Sequence, residues 1–259
     1  MKNIVIITGA SSGFGALFAT KLDARLKTID EYWLIARNQA RMEELAKVMH
    51  TPCRILPYDL TDIQSVKDII KAVEREASNC DDDVYIKMLI NSAGYGKLGE
   101  FALAEDDDVT GMIDINVKAL TMLCKGLIPY MAKNSRIINI ASAAAFLPQP
   151  GFAEYAATKS YVLSLSRALN VELRKRDIYV TAVCPGPADT GFFDRAEEDG
   201  AKSPAYKKYF MADAESVVDQ AITDSINKME VSVYGLWMNS FRWLCKTVPV
   251  GLILKFFRM

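Results

Sequence analysis

NIVIITGASSGFG, residues 3–15, runs from an unbroken apolar stretch into a glycine-rich turn and on into the helical pattern GALFATKLDARLK (15–27). A strand covered on both faces has no need to alternate, so IVII reads as the middle of a buried parallel sheet. The glycines follow the spacing G-x-x-x-G-x-G over Gly9, Gly13 and Gly15. Such a turn lets backbone N–H groups approach a phosphate, and the helix after it points its positive end at the same place. Taken alone, the turn also suits plain tight packing, and its spacing is not the G-x-G-x-x-G of many dinucleotide sites.

Outward from this turn the alternation recurs. YWLIAR (32–37), CRILPYD (53–59), VYIKMLINSAG (84–94), RIINIAS (136–142), DIYVTAVCPG (177–186) and VSVYG (231–235) read as further strands. Between them lie a charged helix ending near Lys47, DIQSVKDIIKAVEREA (62–77), a long helix within 107–133, the helix holding Tyr155, and DAESVVDQAITDSI (213–226). The pattern predicts an α/β fold: a Rossmann-like, doubly wound parallel sheet of about seven strands with helices on both faces and right-handed crossovers. No repeat or low-complexity linker divides the chain. Residues 1–235 are therefore expected to form one domain, followed by a hydrophobic and basic extension over 236–259.

Composition narrows the function. The 259 residues are 51% apolar and 24% charged, which is globular and large enough to need no disulfide or metal staples. A net charge of −1 argues against a nucleic-acid partner. Cys53, Cys80, Cys124, Cys184 and Cys245 are odd in number and form no CxxC pair, a usage that suits a reducing compartment. With His50 as the single histidine, no histidine-rich metal site is expected, and none of another kind is proposed. The apolar run after Lys2 is too short for a signal peptide, and no stretch reaches the roughly 18–20 apolar residues that span a bilayer. The expected location is cytoplasmic.

EYAATKS (154–160) puts Tyr155 four residues before Lys159, one turn apart on a helix face. On its own the pair also fits a half-buried core tyrosine beside a solvated lysine. The rest of the chain weighs against that reading. TGASSGFG (8–15), INSAG (90–94), the asparagine of INV (115–117), Ser142, YAATK (155–159) and PGPADT (185–190) stand in a familiar order and spacing. Over about residues 1–235 the chain resembles the short-chain dehydrogenase/reductases. Ser92 departs from the second asparagine usual there, in a structural turn.

The resemblance implies a nicotinamide-dependent interconversion of a carbonyl and an alcohol, with Asn116, Ser142, Tyr155 and Lys159 as the catalytic set. A free phenol has a pKa near 10, and a neighbouring ammonium favours phenolate and lowers it. Tyr155 is thus expected to be the proton donor and Lys159 the cation that tunes it. By resemblance, Lys159 also holds the nicotinamide ribose, Ser142 bonds the substrate oxygen, and Asn116 supports a water chain to Lys159. The implied cofactor contacts are Gly9, Ser11, Ser12, Gly13, Phe14 and Gly15; Asp59 and Leu60 beside the adenine; Asn91, Ala93 and Gly94; Pro185, Gly186 and Thr190; and Tyr155 and Lys159 again. Tyr161 has no lysine four residues on and is read as packing.

Cofactor choice turns on the end of the second strand. A carboxylate there would bond the ribose 2′-hydroxyl of NAD, whereas arginine accommodates the 2′-phosphate of NADP. Ala36-Arg37-Asn38 offers no carboxylate, and a guanidinium matches phosphate geometry, so NADP (NADPH) is favoured over NAD. By resemblance Phe146, Leu147, Phe152, Phe192 and Phe193 sit where the pocket walls are built and suggest a small hydrophobic carbonyl or alcohol substrate, with core packing an equal reading for each. The alternative function is a non-catalytic dinucleotide sensor or scaffold of the same fold, against which the intact catalytic set counts.

The segment WMNSFRWLCKTVPVGLILKFFRM (237–259) carries Arg242, Lys246, Lys255 and Arg258 and no acidic residue. Its many large apolar groups need cover, and Pro249 and Gly251 break it into pieces too short to span a membrane. Packing on the domain or on a partner subunit of a homodimer or homotetramer is the first expectation. A weak contact with an anionic membrane surface, which a basic amphipathic segment suits, is the second.

Overall fold

A computed structural model describes residues 2–79, 84–197 and 211–255; Cys80, Phe256, Phe257 and Arg258 lie outside these residues. Seven strands form one parallel sheet: β1 (Lys2–Thr8), β2 (Glu31–Ile35), β3 (Cys53–Leu56), β4 (Val84–Asn91), β5 (Met131–Ile140), β6 (Ile178–Val183) and β7 (Val231–Ser232). Their order is β3-β2-β1-β4-β5-β6-β7, so the chain reverses its direction of winding between β1 and β4. The sheet separates two cores. Ile4 and Ile6 point into one, with Val66, Ile69 and Val73 of α3 (Ile63–Asn79), Leu120, Leu123 and Leu127 of α5 (Leu120–Leu127), and Val162 of α6 (Ala153–Leu173). Val5 and Ile7 point into the other, with Phe18 and Leu22 of α1 (Gly13–Arg25), Met42 of α2 (Gln39–Val48), and Val218 and Ile222 of α8 (Ala214–Ile226). This is the Rossmann-like doubly wound arrangement that the unalternating apolar runs predict.

Local chemistry sets several boundaries. The Asn38 side chain caps α2 by accepting the Arg41 N–H at 3.0 Å, and Asp213 caps α8 through the Ser216 N–H at 2.8 Å. The helix expected within 107–133 is not continuous. It begins as α4 (Asp106–Ile113), widens into a π-helical turn over Asp114–Ala119 that contains Asn116, resumes as α5, and ends at a turn holding Pro129. β5 begins earlier than the run RIINIAS suggests, because Met131 pairs with Ile86 before the chain loops out through Asn134, at φ 62°. β7 is shorter than VSVYG suggests and pairs only through Val231 and Ser232.

Where β1 meets α1 the backbones leave no room for a side chain. Gly9 has φ +69°, and a Cβ on it would stand 2.8 Å from the Ala93 nitrogen; a Cβ on Gly15 would collide with the Gly9 carbonyl. Gly251, by contrast, faces open space. Gly15→Ala is therefore expected to lower stability by about 1–3 kcal/mol or more. Gly251→Ala should leave the urea midpoint unchanged or raise it. Equal midpoints for both variants would contradict the packing described.

Candidate active site

The carboxyl ends of β1, β4, β5 and β6 open into a cleft of about 830 Å³. Its floor is built by hydrogen bonds between neighbouring strands. The Thr8 hydroxyl accepts the N–H groups of Ser92 and Ala93, both at 3.1 Å, and so pins the turn after β4 to the end of β1. At one end lie Arg37, Asn38, Arg41, Tyr58, Asp59 and Leu60. The middle is formed by Gly9, Ser11, Ser12, Gly13, Phe14, Ala93 and Gly94, facing Pro185, Gly186 and Thr190. Ser142, Tyr155 and Lys159 line the other end, with Phe152 and with Phe192 and Phe193 of the short helix α7 (Phe192–Ala196).

Tyr155 and Lys159 are both buried, at 7% and 5% exposure. The Tyr155 ring stacks on Phe152 at 4.3 Å between centroids and lies 5.3 Å from Phe192. Glycine at position 96 is required by this arrangement, since a Cβ there would reach within 2.6 Å of the Tyr155 ring. Lys159 Nζ donates to the Ile140 carbonyl at 2.8 Å and sits 5.6 Å from the centre of the Tyr155 ring. Ser142 Oγ accepts the Ala144 N–H at 3.1 Å, which fixes the short turn Ala143–Phe146.

Electrostatics at this end differ from the expectation that Lys159 lowers the Tyr155 pKa. Burial pushes the phenol up to about 12, outweighing its hydrogen bond with Ser142, which acts in the opposite direction. Burial also brings the Lys159 ammonium down to about 8. Desolvation disfavours the charged form of each group and is the largest cause of both shifts.

Three residues of the expected set do not line the cleft. Gly15 packs behind the turn, against Gly9. Asn91 is buried at 3% and donates to Asn139 Oδ1 at 2.8 Å, while Asn139 in turn donates to Ser166 at 2.9 Å; its side chain is a tie between strands and helix α6. Asn116 spends its amide on the Tyr95 carbonyl at 2.8 Å, the Tyr95 N–H at 3.1 Å and Thr158 Oγ1 at 3.1 Å, with Gly94 lying between it and Lys159. It braces the loop beside the cleft from the π-helical turn. Phe146 packs against the core and Leu147 is buried, so of the five aromatic and aliphatic residues suggested as pocket walls only Phe152, Phe192 and Phe193 line the cleft. Tyr161 lies on the opposite side of α6, exposed, with its hydroxyl 3.1 Å from Thr121.

Two residues were overlooked in the sequence. Arg41 lines the cleft one helical turn after Arg37, a spacing legible in RNQAR (37–41). Cys184 is wholly buried beneath the site, and burial holds its thiol up at about 12. A lone cysteine before Pro185 gives no signal of such a position.

Fold and glycine turn together define a Rossmann-like nucleotide-binding architecture. The short chain dehydrogenase family model matches residues 3–201, and the chain belongs to the short-chain dehydrogenase/reductase family. It is 33% identical over 193 residues to a 3-ketodihydrosphingosine reductase of Bacteroides thetaiotaomicron, covering 74% of this chain and 66% of that protein. An uncharacterized oxidoreductase of Staphylococcus epidermidis is 32% identical over 191 residues, 73% of this chain and 79% of its own. Among solved structures, a short-chain dehydrogenase from Sphingobium yanoikuyae in complex with NADPH superposes with a TM-score of 0.75 at 28% identity, covering 95% and 96% of the two chains. The bulky-bulky ketone specific alcohol dehydrogenase from Comamonas testosteroni gives 0.73 at 26% identity, covering 95% and 94%.

The Lys159 pKa makes a pH prediction. An ordinary lysine value of 10.5 falls to about 8 in the folded chain, so between these pH values the unfolded chain holds a proton that the folded one lacks. The group's contribution to stability is then fully present above 10.5 and is lost as pH falls through 8. Relative to Lys159→Met, the wild type should lose stability in urea between about pH 10 and pH 8. A difference that does not vary with pH would mean that burial does not set this pKa.

Proposed function

We propose that the protein is an NADP-dependent reductase that converts the carbonyl of an apolar substrate to an alcohol. The observation that carries this reading is that one continuous cleft has Arg37 at one end and Ser142, Tyr155 and Lys159 at the other. The cleft fits a dinucleotide: glycines at 9, 13, 94 and 186 leave its middle open to backbone approach, and α1 begins there with no acidic residue in its first turn. The Arg37 side chain is 59% exposed and 3.9 Å from Asp59, with Arg41 beside it. Two guanidinium groups line this end of the cleft, and Ala36-Arg37-Asn38, at the carboxyl end of β2, carries no carboxylate, which favours a 2′-phosphate over a free 2′-hydroxyl.

Bound NADPH supplies a hydride. Ser142 Oγ and the Tyr155 hydroxyl are proposed to hold the substrate oxygen, and Tyr155 gives it the proton. A phenol held near 12 is protonated at neutral pH, which suits the reducing direction. Lys159 is proposed to orient the cofactor ribose and to return charge balance when the phenolate forms, while Asn116 acts as a positioning residue through Tyr95. Phe152, Phe192 and Phe193 give the substrate end an apolar wall. A large apolar carbonyl compound is also consistent with relatives named for 3-ketodihydrosphingosine and for bulky-bulky ketones.

Tyr155→Phe keeps the ring and removes the proton. NADPH binding should persist while NADPH oxidation over a panel of long-chain and bulky ketones falls about 10²- to 10⁴-fold. Near wild-type turnover would remove Tyr155 from the chemistry, and cofactor binding with no turnover on any carbonyl would favour a sensor.

Arg37→Asp places a carboxylate where the phosphate is proposed to sit, so lost pairing and new repulsion act together. The ratio of kcat/KM for NADPH over NADH should fall by at least about tenfold. An unchanged ratio would assign phosphate recognition elsewhere.

A further inference from the structure

Beyond β7 the chain forms two short helices, α9 (Leu236–Thr247) and α10 (Val250–Lys255). One side of α9 rests on the domain. Met238 packs on Gly186 and the core behind it, and the Asn239 amide donates to the carbonyls of Val233 and Gly235 at 2.9 and 3.0 Å. Phe241, Arg242 and Cys245 continue this half-buried side at helical spacing. The other side carries large apolar residues in the open: Leu236 is 89% exposed, Trp243 64% and Leu252 50%, with Trp237 and Leu244 also exposed.

The charge on this surface is of one sign. Its exposed cations are Lys246 and Lys255, and residues 236–255 hold no carboxylate, in a chain of net charge −1. Lys246 lies 5.4 Å over the Trp243 ring, so cation and indole share one edge. A self-complementary contact between two copies of this face would set cation against cation. An anionic lipid surface meets both demands, since it takes tryptophan and leucine at the acyl boundary and lysine at the headgroups. Helices of 12 and 6 residues are too short to cross a bilayer, and none of the described helices is long and apolar enough to do so.

We infer that α9 and α10 form an in-plane anchor that seats the protein on an anionic bilayer. Because Met238 lies on Gly186, a residue of the cleft wall, the anchor also sets the cleft beside the lipid. Lipid association needs no turnover, so it stands or falls independently of the proposed reaction.

The test is co-sedimentation of the full-length protein with vesicles of phosphatidylcholine alone or mixed with phosphatidylglycerol, together with light scattering for oligomer size. Two variants alter only exposed positions: Leu236→Ser/Trp243→Ser/Leu252→Ser, and Lys246→Glu/Lys255→Glu. Unchanged urea midpoints would show that both fold. The wild type should sediment with the anionic vesicles and release as salt rises from about 0.05 to about 0.5 M. Each variant should bind about tenfold or more weakly. Three results would overturn the inference: a wild type that stays in the supernatant, variants that bind as well as the wild type, or a face whose substitution splits an oligomer while vesicle binding is absent throughout.

Discussion

The cleft depends on one close approach, between the turn after β1 and the turn after β4. At the point where the winding reverses, successive crossovers leave to opposite faces of the sheet, and the cleft opens at the strand ends there. The gap is useful only if the two turns stay together and stay thin. The Thr8 hydroxyl does the first by accepting two N–H groups from the β4 turn. Glycine does the second, because a side chain at position 9 would meet the Ala93 backbone. α1 can then start at the sheet edge with its N–H groups facing the space, and the strands β5 and β6 bring Ser142 and Pro185 to the opposite wall. A single methyl group at this crossing would push apart the two halves that every other contact in the site relies on.

Burial, more than proximity, governs the reactive end. Tyr155 and Lys159 are on one helix face, but each is enclosed, Tyr155 by Phe152 and Phe192 and Lys159 by the Ile140 carbonyl and the floor of the cleft. A desolvated phenol holds its proton and a desolvated ammonium releases one more readily, so the two shifts run toward the neutral pair. That poise suits a group whose task is to keep a proton until a developing alkoxide claims it. The Cys184 thiol is buried beneath the same groups, and burial likewise holds it in its neutral form.

Much of this was legible in the sequence because the information is local. Apolar runs identify the strands, TGASSGFG identifies the turn, and YAATK fixes the Tyr155–Lys159 spacing; the wall formed by Ser142, Pro185 and Gly186 follows once the strands are ordered. What was not legible is of another kind. Asn91 and Asn116 are polar residues beside glycine turns, which looks the same in sequence whether the amide faces a ligand or ties one element to another. Only the partners decide, and these are Asn139 at 48 residues' separation and Thr158 at 42. Phe146 and Leu147 belong to the core for the same reason: a turn's apolar residues can point either way. The sign of the Tyr155 shift was also illegible, since sequence reveals a neighbouring cation but not the depth at which both are buried.

The position of the anchor follows from topology. In an all-parallel sheet every strand ends at the same edge, and the cleft occupies that edge. A chain that continues past β7 must therefore emerge beside the cleft and not beneath the sheet. The short β7, ending at Ser232, releases it at once, and Gly235, at φ 82°, turns it back across the Ala143–Phe146 turn that follows Ser142. An extension with this composition on any earlier strand would have to cross a neighbouring connection before reaching the site. Placed last, it borders the opening directly, and whatever surface it rests on becomes the surface the opening faces.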